Sequence, residues 1–145
     1  MKVLLVRPPR IKQAITLSDF MFSEPLGLEM IYGQLKGYND VEIFDMMIER
    51  GSLTEKLKEY KPDLVGVTSL CIDVNQVKVL CREVKTFKAE TLTFVGGTQT
   101  YLNPEAFIDS AVDYIFEYSN PQNIEAFMEY LDKGGDKLAI DGILS

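Results

Sequence analysis

The chain has 145 residues, of which 46% are hydrophobic and 26% charged, a balance that suits one globular domain with a sizeable core. A formal net charge of -7 and a pI of about 4.6 offer no basic face to phosphate backbones, so nucleic acid is not an expected partner. No apolar run reaches the roughly 18 residues of a membrane span, Met1 opens directly on a strand pattern rather than a signal peptide, and the two cysteines, Cys71 and Cys81, fit a reducing, cytoplasmic setting better than a disulfide framework.

Met1 to Val6 reads as a buried strand, stopped by Arg7-Pro8-Pro9 because prolines bar further pairing. Residues 10–24 keep no period but carry Phe20, Met21 and Phe22; a loop of this length is either functional or packs over the sheet edge. Pro25 to Tyr38 is a predicted helix with Leu28, Ile31 and Leu35 on one face, and Val41 to Asp45 an alternating strand near an edge. Ser52 and Glu55 form a capping box for a short helix that buries Leu53, Leu57 and Tyr60.

The continuous apolar run Leu64 to Val67, closed by Thr68 and Ser69, is the pattern of a strand covered on both faces and is expected at the centre of the sheet. Asp73 and Gln76 repeat the capping logic for a helix with Val77, Leu80, Cys81 and Val84 at core spacing, which makes Cys81 a small core residue. Thr91 to Val95 is the fourth strand, followed by Gly96-Gly97. Asn103-Pro104 opens a helix with Phe107, Ile108 and Ala111 inward, Val112 to Phe116 is the fifth strand, and Asn120-Pro121 caps a last helix burying Ile124, Phe127, Met128 and Leu131. Strict alternation of five strands with five helices implies an α/β doubly wound parallel sheet, Rossmann-like, in the flavodoxin-like order 2-1-3-4-5.

Ligands of such sheets sit at the carboxyl ends of the central strands, which directs attention to Thr68-Ser69-Leu70 and Gly96-Gly97. No Gly-x-Gly-x-x-Gly follows the first strand, where Arg7-Pro8-Pro9 stands, and prolines cannot donate N–H groups to a flavin phosphate. A phospho-receiver needs an aspartate where Thr68 and Ser69 stand, and a lysine where Phe116 and Glu117 stand. The chain has no histidine, so it lacks the usual general base and the usual imidazole ligand to a metal, and two cysteines cannot hold an iron–sulfur cluster alone.

The segments MKVLLVRPP, EPLGLEMIYGQLKGY, VEIFD, KPDLVGVTSL and FVGGTQTYLNPEAF resemble, in this order, the N-terminal cobalamin-binding domain of cobalamin-dependent radical SAM enzymes. That group includes the anaerobic magnesium-protoporphyrin IX monomethyl ester oxidative cyclases and many methyltransferases. The resemblance assigns residues 1–136 to the cobalamin-binding-like domain and residues 137–145, with LAIDGILS, to the start of a link towards a radical SAM barrel. It matches Thr68-Ser69-Leu70 to a Ser-x-Leu motif, Gly96-Gly97 to the Gly-Gly motif that admits the cofactor's nucleotide tail, and Pro25-Leu26-Gly27 to the entry of the first helix. Thr98 and Gln99 complete the candidate set, with Gln99 standing where the family often has histidine.

The resemblance implies that cobalamin is held without a histidine ligand, since the Asp-x-His-x-x-Gly motif is absent. It implies that Thr68 and Ser69 hydrogen-bond the tail, that the Phe20–Phe22 loop borders the corrin, and that Phe116 to Gln122 departs from the familiar Gly-Glu-Gly-Glu. A [4Fe-4S] cluster and S-adenosylmethionine belong to a catalytic barrel, the expected partner in the same or a separate chain. A bulky residue at Gly97 is expected to exclude the tail and spare the fold. The alternative function is a docking module that keeps the fold without a cofactor.

Overall fold

The computed structural model describes residues 1–9, 24–70, 72–134 and 140–145. The Phe20–Phe22 loop, Cys71 and residues 137–139 of the expected link lie outside these residues.

Leu64–Thr68 forms β3, and its first four residues are buried. It lies between β1 (Lys2–Arg7) and β4 (Leu92–Gly96), parallel to both. The run is apolar without alternation because both faces are covered. Leu64 packs in the layer with α1 (Leu26–Leu35) and α5 (Pro121–Lys133), whereas Val65 and Val67 pack in the layer with α2 (Leu53–Tyr60) and α3 (Val74–Phe87). Gly66, between the two valines, faces the first layer and leaves room for a ring. A Cβ there would lie 2.1 Å from Cζ of Phe94, whose ring packs at 5.2 Å on Phe116 and 6.1 Å on Phe127.

The sheet order is β2-β1-β3-β4-β5-β6, with β2 at Asp40–Asp45, β5 at Tyr114–Phe116 and β6 at Ile143–Leu144. The first five strands are parallel in the predicted order, and the alternating strand β2 is at an edge. The other edge differs from the sequence expectation. Ile143–Leu144, taken as part of a link, pairs antiparallel with β5. Its anchor is polar: Asn123 Nδ2 donates to the carbonyls of Tyr118 (2.9 Å) and Asp141 (3.3 Å), and Tyr118 donates its hydroxyl proton to Asp141.

The capping boxes behave unequally. Ser52 and Glu55 form the expected box, and Asn120 forms one with Asn123, asparagine serving where glutamate or glutamine is usual. Asp73 makes no side-chain cap to α3, because its carboxylate turns back to the β3–α3 loop. Asn103-Pro104 opens only a 3-10 turn, Pro104–Phe107, and a short helix α4 (Thr98–Leu102) precedes it. Phe107 and Ala111 are buried as expected, but Ile108 is 73% exposed: the turn ends before it and its backbone is extended, so it points away from the face of Phe107. Cys81 lies in the core, its thiol pushed up to about 12 chiefly by burial and further by Asp109 and Asp113. Among the described residues no helix is long and apolar enough to cross a membrane.

Candidate functional site

The carboxyl ends of β3 and β4 stop side by side, with Thr68 in register with Gly96. The chain then turns on contacts between the two loops. Ser69 N donates to the Gly96 carbonyl at 2.8 Å, and Gln99 N reaches the Ser69 carbonyl at 3.4 Å. Gly97 sits at φ 126°, and a Cβ there would lie 2.5 Å from Ser69 O and 2.9 Å from Ser69 N. This glycine is therefore required by the approach of two backbones at a conformation side chains rarely adopt. The expectation that a bulky residue at Gly97 spares the fold is overturned by this contact. Gly96 is different: its conformation is ordinary, and a Cβ would only touch Cβ of Phe116 at 3.6 Å.

Ser69 is fully buried. Its hydroxyl donates to Asp73 Oδ1 at 2.8 Å, and the same oxygen accepts Leu70 N at 2.8 Å. Burial raises the Asp73 pKa above its ordinary value, against the lowering effect of these two donors. The serine and the aspartate thus fasten the loop, while Thr68 lines the open space beside it.

That space is a cleft of about 170 Å³ between α1, the ends of β3 and β4, and the start of α5. Gly27 and Gln34 contribute from α1, Thr68, Gly96 and Gly97 from the sheet, and Ser119 and Ile124 from the last crossover. Of the sequence-predicted residues, Gly27, Thr68, Gly96 and Gly97 come together here. Pro25 serves α1 instead, its carbonyl accepting the N–H groups of Leu28 and Glu29. Leu26, Leu70 and Thr98 are exposed, and Gln99 is half-buried. With Met30, Tyr101 and Leu102, the exposed Leu26 and Leu70 give the carboxyl end of the sheet an apolar rim.

Sequence reasoning missed Gln34, Ser119 and Ile124. Gln34 had a signal, since it follows Ile31 by three residues on the buried side of α1, where an apolar residue is the rule. Ser119 lies in the segment Phe116 to Gln122 that departs from the family's pattern, whereas Ile124 had no signal of this kind, because only the fold brings the start of α5 against α1.

The model of the B12 binding domain matches residues 14–126. The chain belongs to the B12-binding domain family. No curated protein sequence matches it. Among solved structures, this B12-binding domain is similar to the cobalamin-dependent S-adenosylmethionine radical enzyme OxsB with aqua-cobalamin bound, at a TM-score of 0.77 and 16% identity over 98% of this chain and 20% of that one. It is also similar to a cobalamin-binding protein from Desulfitobacterium hafniense DCB-2, at 0.58 and 13% identity over 89% of this chain and 58% of that one. The isolated REC domain of RcsB from Salmonella enterica serovar Typhimurium matches at 0.59 and 14% identity, over 94% and 91% of the two chains. At such identities the likenesses are of fold. The B12-binding domain spans about a fifth of the length of the OxsB chain.

Proposed function

We propose that this B12-binding domain holds cobalamin with the nucleotide tail in the α1–α5 cleft and the corrin across the apolar rim. The observation that carries the reading is the wall of the cleft itself. It lacks side chains at Gly27 and Gly96, bears a hydroxyl at Thr68 and holds a buried amide oxygen at Gln34 that has no hydrogen-bond partner. A dry core would fill these places with methyl groups, whereas a nucleotide needs both the room and the polar contacts.

Each residue then has a share in the binding. Gly27 and Gly96 admit the tail, Thr68 offers it a hydrogen bond, and Asp73 with Ser69 fastens the loop that follows Thr68. The cofactor, when bound, supplies organometallic or redox chemistry; the protein supplies orientation. No histidine is present in the chain to take the lower face of cobalt. OxsB, a cobalamin-dependent S-adenosylmethionine radical enzyme, supports a catalytic radical SAM domain as the partner that the rim faces. That partner would carry the iron–sulfur cluster and S-adenosylmethionine.

The test is an absorbance and electron paramagnetic resonance titration with hydroxocobalamin and cob(II)alamin. A base-off, histidine-off spectrum is expected. Gly27→Leu is the blocking variant, since a Cβ at Gly27 meets nothing within 4 Å and leucine favours the helix; it should abolish binding and leave the far-UV circular dichroism unchanged. Protein that retains no cobalamin would overturn the reading in favour of a docking module without a cofactor.

A further inference from the structure

Gln34 is out of place by the logic of its own helix. It belongs to the side of α1 that carries Leu28, Ile31 and Leu35 inward, yet it ends in an amide. Its Oε1 is the one buried side-chain oxygen or nitrogen without a hydrogen-bond partner among the described residues. A buried polar atom without a partner costs free energy, and a residue of similar shape with no polar group does not carry that cost.

The position of the amide says what it awaits. Gln34 lines the cleft at the sheet's carboxyl end and also a second hollow of about 690 Å³, which continues between the end of α1 and α5. Ile124, across from it on α5, is the other residue common to both. The two side chains line both spaces. Gln34 follows Gly27 by seven residues, which at about 1.5 Å per residue puts it roughly 10 Å further along α1. A tail entering past Gly27 and Thr68 would bring its far end, the terminal base, towards this depth.

The geometry points to Gln34 as the residue that reads the terminal base of the cobamide tail. This rests on the cobalamin reading above. A carboxamide has an acceptor oxygen and two N–H donors, which exchange places by rotation about the last torsion. It can pair with a base that carries a ring nitrogen or an exocyclic amine, such as dimethylbenzimidazole or adenine. A phenolic base of the para-cresol type has neither and leaves the amide orphaned. The residue is thus a specificity determinant within the family's cofactor class.

The experiment titrates the wild-type chain and Gln34→Met with three cobamides that carry dimethylbenzimidazole, adenine or para-cresol. The quantity read is the ratio of affinities, nitrogen base over para-cresol, in each protein. The cost of detaching a base from cobalt is common to both proteins and cancels when the two ratios are compared. The ratio is expected to fall about three- to tenfold in Gln34→Met, the size of one lost hydrogen bond. The thermal midpoint of ligand-free Gln34→Met is expected at or above that of the wild type, because the orphan has gone.

An unchanged ratio overturns the inference and leaves the cobalamin reading standing. A ligand-free variant that melts earlier also overturns it, since that makes Gln34 a structural residue. Wild-type protein that binds none of the three cobamides overturns both readings together.

Discussion

Gly97 and Ser69 meet backbone to backbone at the carboxyl end of the sheet, so closely that a methyl group on the glycine would lie 2.5 Å from the serine carbonyl oxygen. The contact binds the β4 loop to the β3 loop, and the two glycines of the pair consequently do different work. Gly97→Ala should destabilise the ligand-free chain by about 1–3 kcal/mol from its backbone conformation alone, with the clash adding to that. Gly96→Ala should change it by no more than about 0.5 kcal/mol. Denaturation midpoints of the two variants check this; a Gly97→Ala loss no larger than that of Gly96→Ala would show that the turn does not depend on the glycine at position 97.

The Ser69–Asp73 hydrogen bond makes a pH prediction. Burial raises the Asp73 pKa above its ordinary 3.8, so the native state holds this proton more tightly than the unfolded chain. The stability so gained is present at low pH and is lost as pH rises from about the unfolded value through the native one. Asp73→Asn imitates the protonated form and still accepts from Ser69 and Leu70. The variant's advantage over wild type should therefore grow from acid towards neutral pH and level off above the native pKa. Urea melts from pH 4 to 8 measure the difference, and a constant offset would mean that burial does not raise the Asp73 pKa in the native state.

Much of this architecture is legible in the chain. Periodicity locates β3 and the inward faces of α3 and α5 because each buries a continuous set of apolar residues: Val65, Val77, Leu80, Ile124 and Phe127 are all in the core. What the pattern does not convey is where polar side chains spend their hydrogen bonds. Asp73 has the residue type and spacing of a helix cap, but a loop donor at Leu70 and a buried hydroxyl at Ser69 compete for its carboxylate and win. Ile143–Leu144 is too short to announce itself as a strand, and the bonds from Asn123, on a different element, to the carbonyls of Tyr118 and Asp141 beside it leave no local pattern in the sequence. The candidate site is legible as far as its sheet residues and Gly27. Its α5 wall depends on a tertiary contact that no local spacing encodes.

Asn123 is accordingly the residue to remove in order to release β6. It is buried, and its amide serves Asn120, Tyr118 and Asp141 at once. Asn123→Ala leaves those backbone groups unpaired and should cost about 1–3 kcal/mol. The loss should be accompanied by faster hydrogen exchange at Glu117 N–H, which donates to the Gly142 carbonyl at 2.9 Å. Exchange at Glu117 that stays at the wild-type rate would show that β6 is held by its own pairing and not by the asparagine.

Gly66 supplies the last prediction, because its role is the packing of one ring. Phe94 lies over the glycine and is confined on its other sides by Phe116 and Phe127, so it has little room to move when a methyl group appears beneath it. The ideal Cβ position is 2.1 Å from the ring's Cζ, well inside contact distance. Gly66→Ala should therefore destabilise the chain by about 1–3 kcal/mol through overpacking. Phe94→Leu alone should also destabilise, by lost burial and cavity formation. In the double variant the added methyl group takes up space that the ring has vacated, and the two losses should not add. A double-mutant cycle by urea denaturation is expected to return a coupling of about 0.5–3 kcal/mol in the favourable sense. Additive losses would show that Gly66 is needed for its backbone and not for the ring above it.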